Sequence, residues 1–347
     1  MTKRTENINI DSIQALPSPD EIKSDVPSNE KADALVYESR KVIQDIISGK
    51  DNRKLLVVGP CSIHDPKAAY DYAKKLYALH KELNDKLYIV MRVYFEKPRT
   101  TLGWKGLIND PDLNESFQIE KGLRLAREVL LHILEIGLPT GSEMLDTLNP
   151  QYISDLVCWG SLGARTTESQ PHREMSSGLS MPVGFKNATT GDPKAAIHAV
   201  EVAKHPHSFV GVNQEGKIAI VKTTGNAYGH LILRGGDGSP NFDPITVEAS
   251  AKKLEEAGLC SKILIDCSHG NSRKKHVNQI KVFRNIISQI KEGNSPIFGA
   301  MLESNIVSGN QKIAATLNDL NYGQSVTDEC ISWEQTEELL RFAYNNI

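Results

Sequence analysis

The stretch "KLLVVGPCSIHDPKAAYDYAKKLYALHKELNDKLYIVMRVYF", residues 54–95, decides the fold. It opens on a run that is apolar at nearly every position, "LLVVGP" (55–60), and closes on another, "YIVMRVYF" (88–95). Between them "DPKAAYDYAKKLYALHKEL" carries a helical pattern entered through Asp-Pro. Strands that alternate apolar and polar residues bury one face, whereas continuous apolar runs bury both, as in a parallel sheet covered by helices. Residues 54–95 therefore read as a strand–helix–strand unit.

The unit repeats. Further runs stand at "LPTGSEML" (138–145), "VCWGSLGA" (157–164), "MPVGFKN" (181–187), "HLILRGG" (230–236), "KILIDCSHG" (262–270) and "PIFGAMLES" (296–304), which brings the total to eight. Helical patterns lie between several of them: "ESFQIEKGLRLAREVLLHILEIG", "DPITVEASAKKLEEAG" and "VNQIKVFRNIISQIKEG" each end at the glycine that favours a helix C-terminus. Eight such units predict a (β/α)8 barrel of the α/β class. A doubly wound open sheet is the alternative, but no GxGxxG or GxxxxGKS phosphate turn occurs.

Two segments exceed a bare barrel. Residues 1–50 are polar, with three prolines in "LPSPDEIKSDVPSNEKAD" before a helical "ALVYESRKVIQDIISG", and read as an extension docked beside a catalytic barrel of residues 51–347. Between barrel strands five and six, "SFVGVNQEGKIAIVKTT" (208–224) reads as an inserted β-hairpin around "NQEGK". Both are candidates for regulation or subunit contact.

Composition narrows the function classes. With 39% hydrophobic and 24% charged residues the 347-residue chain reads as globular, and its formal charge of −3 argues against a nucleic-acid surface. Neither a membrane-spanning run nor a signal-peptide core is present, so the expectation is a cytoplasmic protein without membrane contact. Five scattered cysteines without CxxC spacing predict reduced thiols.

Chemistry-bearing residues collect at the C-terminal ends of the expected strands, where barrel enzymes build their sites. In order they are Cys61, Arg92 followed by "EKPRT", Glu143, "GART", Lys186, Arg234, His269 and Glu303. Cys61, His269 and Glu303, with Asp328 from "SVTDEC", form a mixed sulfur, nitrogen and oxygen set that suits one divalent transition metal such as Mn, Fe, Co or Zn. Arg92, Lys97, Arg99, Lys105, Arg165, Lys186 and Arg234 form a cationic set that would repel itself unless phosphates or carboxylates filled it. Taken singly, each has a plainer reading: a cysteine after a strand is usually a small buried hydrophobe, and separate surface ion pairs would account for the cations.

At these residues the chain resembles class I, microbial-type 3-deoxy-D-arabino-heptulosonate 7-phosphate (DAHP) synthases. The matching motifs run from about residue 35 to the end: "GPCSIHDP", "MRVYFEKPRTTLGWKGLINDP", "GARTTESQ", "PVGFKN", "ILRGG", "DCSHGNS", "ESNI", "SGNQ", and "SVTDEC" before "SWE". The resemblance implies condensation of phosphoenolpyruvate with erythrose 4-phosphate, opening the shikimate pathway of aromatic amino acid biosynthesis. It implies metal ligands at Cys61, His269, Glu303 and Asp328. Phosphoenolpyruvate contacts fall at Arg92, Lys105, Glu143, Gly163, Ala164, Arg165, Lys186 and Arg234, and erythrose 4-phosphate contacts at Lys97, Pro98, Arg99 and Thr100. Lys97 is a catalytic proton donor in this reading. It further implies a homodimer or homotetramer with the N-terminal segment at the interface. An aromatic amino acid effector, with tyrosine favoured, would sit among Gln151, Leu179, Ser180, Phe209 and Val221. A metal-free protein would be open to oxidation of Cys61 to Cys330.

Three positions depart from the family's usual forms: "KNATTGD" for "KNGTDG", Asp237 where a lysine is common, and Glu329 where a small residue is expected. The nearest rival is 3-deoxy-D-manno-octulosonate 8-phosphate synthase, against which "KPRT" argues; a non-catalytic barrel would be expected to have lost ligands.

Overall fold

The apolar runs become the staves of one closed barrel in a computed structural model, which describes residues 5–293, 296–313 and 319–347. The staves are β1 (Lys54–Gly59), β2 (Leu87–Arg92), β3 (Thr140–Glu143), β4 (Trp159–Leu162) and β5 (Val183–Lys186), then β8 (Gly229–Leu233), β9 (Ile263–Asp266) and β10 (Ile297–Glu303), with β6 (Ser208–Val212) and β7 (Ile218–Lys222) paired apart as a hairpin. Every barrel pairing is parallel and follows chain order, and β10 closes on β1 from Leu55 opposite Gly299 to Gly59 opposite Glu303. Apart from half-buried Lys54, every barrel-strand residue is buried, which is why the runs lack alternation.

The staves are shorter than the runs. "YIVMRVYF" leaves the ladder after Arg92 and "VCWGSLGA" pairs only from Trp159 to Leu162. The remaining residues of the runs overhang at both ends: Val93–Phe95 lie beyond β2 toward the polar mouth, Val157 and Cys158 before β4.

The helices are α1 (Pro19–Asp25), α2 (Glu30–Ser48), α3 (Pro66–Leu83), α4 (Ile119–Ile136), α5 (Pro150–Ile153), α6 (Gln170–Ser176), α7 (Lys194–Ala203), α8 (Pro244–Glu256), α9 (Asn278–Lys291) and α10 (Trp333–Asn346). Their starts are chemically legible: Asp65 accepts from the Lys67 and Ala68 amides, Asp243 from Thr246, and Ser332 forms a capping box with Gln335. Two boundaries differ from the sequence reading. Residues 115–118 do not join α4, because Glu115 and Phe117 take left-handed backbone angles and the Glu115 amide donates to Asp110 Oδ2 at 3.1 Å. The proline-rich leader, in turn, contains α1, closed by a Ser18–Glu21 capping box with Pro19 in its first turn.

The leader docks on the inserted hairpin. The Asp20 amide and Lys23 Nζ donate to the Gln214 backbone carbonyl at 2.9 Å and to Gln214 Oε1 at 2.6 Å, and Tyr152 OH donates to the Pro17 carbonyl at 3.0 Å. The hairpin's outer residues Val210, Ile218 and Ile220 are exposed. No helix among the described residues is long and apolar enough to cross a membrane.

Barrel closure leaves no room at Gly299: a Cβ there would stand 2.0 Å from the Leu55 carbonyl oxygen. Gly299→Ala should therefore destabilise by ~3 kcal/mol or more, while Gly238→Ala, in open space, should change stability by less than ~0.5 kcal/mol. Urea unfolding midpoints check this, and equal midpoints for the two variants would contradict it.

Candidate active site

Strand ends converge on a cavity of about 450 Å³ at the C-terminal mouth of the barrel. Arg92, the last residue of β2, lies beneath it, fully buried. Its Nε donates to the Pro60 carbonyl at 3.3 Å, and Nη2 reaches the Cys61 carbonyl at 3.5 Å and Glu303 Oε1 at 3.2 Å. Its guanidinium stands 3.9 Å above the Tyr94 ring centre. Burial opposes the charge, but Tyr94, Glu303 and Asp266 outweigh it and hold the group above the ordinary arginine range.

Around this joint lie the potential metal donors. The Cys61 sulfur and carboxylate oxygens of Glu303 and Asp328 all stand within 4.8 Å of one another. His269 approaches from the end of β9, its Nε2 3.8 Å from Glu303 Oε1, with a left-handed φ of 54°. Its Nδ1 is held by Ser268 Oγ at 2.7 Å and lies 3.0 Å from Asp266 Oδ2, which turns Nε2 toward the cluster. Lys97 Nζ donates to Cys61 Sγ at 2.7 Å and to Asp328 Oδ2 at 3.0 Å. Burial and the Glu303 charge push the Cys61 thiol up to about 12, partly offset by Lys97. Lys97 holds the Asp328 carboxyl well below the usual range, against the effect of burial. A mixed S/N/O/O donor set of this spacing fits a divalent transition metal.

The cationic residues surround the same cavity. Lys97, Pro98, Arg99, Thr100, Glu143, Gly163, Ala164, Arg165, Lys186, Arg234, His269, Glu303 and Asp328 all line it. Lys186 is paired with Asp266 Oδ2 at 2.9 Å, Arg165 Nε donates to Thr100 Oγ1 at 3.0 Å, and Arg99 Nε to the Trp104 carbonyl at 2.8 Å. Glycine at 163 lets the Glu143 carboxylate approach, since a Cβ there would stand 2.5 Å from Oε1. Arg92 Nη1 and Glu143 Oε1 are buried without a hydrogen-bond partner, which leaves one donor and one acceptor open to a ligand. Lys105 stands apart: its carbonyl accepts from the Lys97 amide at 2.9 Å, but its side chain is exposed outside the cavity lining.

Several cavity residues have no role in the sequence reading. Ser268, Ser272, Lys274, His276, Gln279, Asn310 and Glu329 line it, and Asp266 lies buried behind Lys186 and His269. Asp266 carried a usable signal, an acid inside the buried run "KILIDCSHG"; Gln279 lies in the first turn of α9, and the others sit on loops whose course no periodicity records.

Of the five residues expected around an effector, Phe209 and Val221 lie on the hairpin and Gln151 contacts it. Phe209 faces Val221 across it, and Gln151 Oε1 accepts from Gln214 Nε2 at 2.7 Å. Leu179 is half-buried against the core and Ser180 is exposed.

Comparison with known proteins follows the same residues. The profile of the DAHP synthetase I family matches residues 25–341. The chain is 52% identical over 341 residues to the Escherichia coli phospho-2-dehydro-3-deoxyheptonate aldolase described as Tyr-sensitive, covering 98% of this chain and 96% of that protein. It is 50% identical over 347 residues to the Phe-sensitive protein of the same organism, covering 100% and 99%. A solved phospho-2-dehydro-3-deoxyheptonate aldolase from Francisella tularensis SCHU S4 superposes with a TM-score of 0.95 at 50% identity, covering 98% of each chain.

One buried acid beside the cavity also escaped the sequence reading. Glu96 precedes Lys97, and its carboxylate accepts from Asn149 Nδ2 at 2.8 Å and, at 3.5 Å, from the Asp146 amide. Burial, reinforced by Asp146, pushes its carboxyl up to about 8. A carboxyl raised in the folded state favours folding at low pH, and that contribution is lost as pH climbs from the unfolded value near ~4.3 to about 8. Glu96→Gln should thus gain on the parent progressively across this window, by on the order of 2–5 kcal/mol above pH 8. Urea midpoints from pH 4 to 9 measure the gap, and a gap that stays constant with pH would contradict the assignment.

Proposed function

This chain belongs to the DAHP synthetase I family and is a phospho-2-dehydro-3-deoxyheptonate aldolase of the shikimate pathway; we propose that it joins phosphoenolpyruvate to erythrose 4-phosphate at the barrel mouth, with one divalent transition metal held by Cys61, His269, Glu303 and Asp328. The observation that carries the substrate reading is a cationic cavity set directly beside the S/N/O/O donor cluster. A bound metal would supply Lewis acidity toward the sugar's aldehyde oxygen.

Arg92, Lys186, Arg234 and Arg165, with the amides of Gly163 and Ala164, hold the phosphate and carboxylate of phosphoenolpyruvate; Lys105, assigned to the same ligand by its motif, keeps its side chain outside the cavity lining. The open Nη1 of Arg92 supports this. Lys97, Pro98, Arg99 and Thr100 cradle the sugar phosphate and set the aldehyde carbon against C3 of the enol. As that bond forms, Lys97 Nζ gives a proton to the aldehyde oxygen, which becomes a hydroxyl. Water adds at the cationic C2 and passes one proton back to Lys97; the resulting hemiketal collapses to the ketone, its hydroxyl proton leaving with the phosphate as the C–O bond breaks. Burial opposes the charge of Lys97, but Cys61, Asp328 and Glu303 outweigh it, so the ammonium is charged and carries the proton it must deliver.

Feedback control and assembly belong to the same proposal. An aromatic amino acid, tyrosine before phenylalanine, binds among Gln151, Leu179, Ser180, Phe209 and Val221; the Tyr-sensitive and Phe-sensitive descriptions of the relatives support this. Exposed Ile8, Ile10, Ile13, Val210, Ile218 and Ile220 support a homodimer or homotetramer built through the leader and hairpin. Cys61 and Cys330, both free and buried, are the pair that dissolved oxygen would oxidise to a disulfide once metal is lost, the two protons and two electrons of the thiols passing to oxygen to give peroxide.

Phosphate release, measured with phosphoenolpyruvate and either erythrose 4-phosphate or arabinose 5-phosphate, tests the reading. Turnover is expected with the four-carbon sugar alone, to vanish on chelation and to return with Mn²⁺ or Zn²⁺; full turnover after metal stripping would contradict it. Arg99→Ala should raise KM for erythrose 4-phosphate by ~10-fold or more and leave KM for phosphoenolpyruvate within ~2-fold.

A further inference from the structure

Of the four proposed ligands only Glu303 lies within a strand; Cys61 stands two residues past β1, and the other two ride on longer loops. Asp328 lies on the turn before α10, and His269 opens an irregular segment in which His269, Arg273 and Lys274 all have left-handed backbone angles, at φ 54°, 54° and 58°. Such a segment keeps its shape only where neighbours fix it. Gln279, in the first turn of α9, does so on one side, exchanging hydrogen bonds with the Glu303 backbone at 3.0 and 2.9 Å. On the other side the fixing group is Glu329, next to Asp328. Its Oε2 accepts from His276 Nδ1–H at 2.6 Å and from the His276 backbone N–H at 3.3 Å. Among the described residues this is the side-chain link that joins the His269 segment to the Asp328 turn, and both partners line the cavity. The turn is held in its own place from behind: Ser62 and Thr327 share a hydroxyl contact at 2.7 Å, and Asn310 Nδ2 donates to the Thr327 carbonyl at 2.8 Å.

We propose that His276 and Glu329 form a strap that sets the distance between the His269 and Asp328 loops, and thereby how firmly the centre retains its metal. This rests on the reading of Cys61, His269, Glu303 and Asp328 as one metal centre. Among the described residues no hydrogen bond or ion pair joins the pair to a proposed substrate contact, so both are positioning residues. Their effect belongs to metal retention and not to the chemical step. Removing a group that orients a metal ligand commonly weakens metal binding by ~10- to 100-fold.

The test uses the full chain loaded with Zn²⁺, and reads zinc release into excess chromogenic chelator together with zinc affinity by competition. His276→Phe and Glu329→Ala should each speed release and weaken affinity by ~10-fold or more, with the thermal midpoint of the metal-free protein unchanged. Glu329→Gln, whose amide oxygen still accepts from His276, should stay near the parent, and the double variant His276→Phe/Glu329→Ala should be no worse than the weaker single one. Parent-like zinc retention in His276→Phe would overturn the strap. So would equal loss in Glu329→Gln and Glu329→Ala with none in His276→Phe, which would assign the effect to the carboxylate's charge. A parent protein that binds no zinc or manganese overturns the metal centre itself, an outcome separate from retention that is merely insensitive to the pair.

Discussion

The Arg92–Glu303 pair is the joint on which the mouth of the barrel depends. Arg92 ends β2 with 1% of its surface exposed, and it reaches Glu303 at the end of β10 and the Pro60 and Cys61 carbonyls just past β1. Burying a guanidinium costs several kcal/mol unless partners meet it, so three strand ends are held in one arrangement by a single requirement. The carbonyl of Cys61 and the carboxylate of Glu303 are fixed by this cation. The spacing of the sulfur and oxygen donors is thus set by a group that is not itself a donor to the metal. Gly59 permits the contact, because a Cβ there would meet the Arg92 carbonyl oxygen at 2.9 Å.

Asp266 plays the matching part on β9, the strand beside β10. It is fully buried at the end of β9, and burial alone would raise its pKa; Lys186 and His269 instead hold it well below the usual carboxylate range. The same carboxylate pairs with Lys186 of the proposed phosphate cradle and orients the His269 imidazole of the proposed donor cluster. The cradle can thus be strongly positive toward a ligand while its base is internally paired, with Asp266 under Lys186 and Asp328 beside Lys97.

The barrel was legible in the sequence because most of its strands, covered on both faces, leave apolar runs such as Leu55–Val58, Ile89–Met91 and Ile263–Ile265 at repeating intervals, although β3, "TGSE", leaves none. Most of the residues proposed as donors and cations stand at the end of such a strand or a few residues beyond it; Asp328, which follows no barrel strand, was named from "SVTDEC" alone. Asp266 was overlooked because it lies inside the run that points to His269, and a buried acid there breaks the very pattern that identifies the strand. His276 and Glu329 meet across 53 positions of chain, and no local period relates them. Helix α1 hid behind its prolines, which turned out to start a helix and not to forbid one. Lys105 shows the reverse limit, since a motif gives a residue's place in the chain but not the direction its side chain takes from a loop.

X-ray absorption at the zinc edge of the loaded protein addresses the donor set most directly, because sulfur and the lighter donors scatter differently. The account predicts one sulfur at ~2.3 Å among nitrogen and oxygen neighbours at ~2.0–2.2 Å, with the sulfur lost in Cys61→Ser. A shell of nitrogen and oxygen alone in the parent protein, unchanged by that substitution, would contradict it.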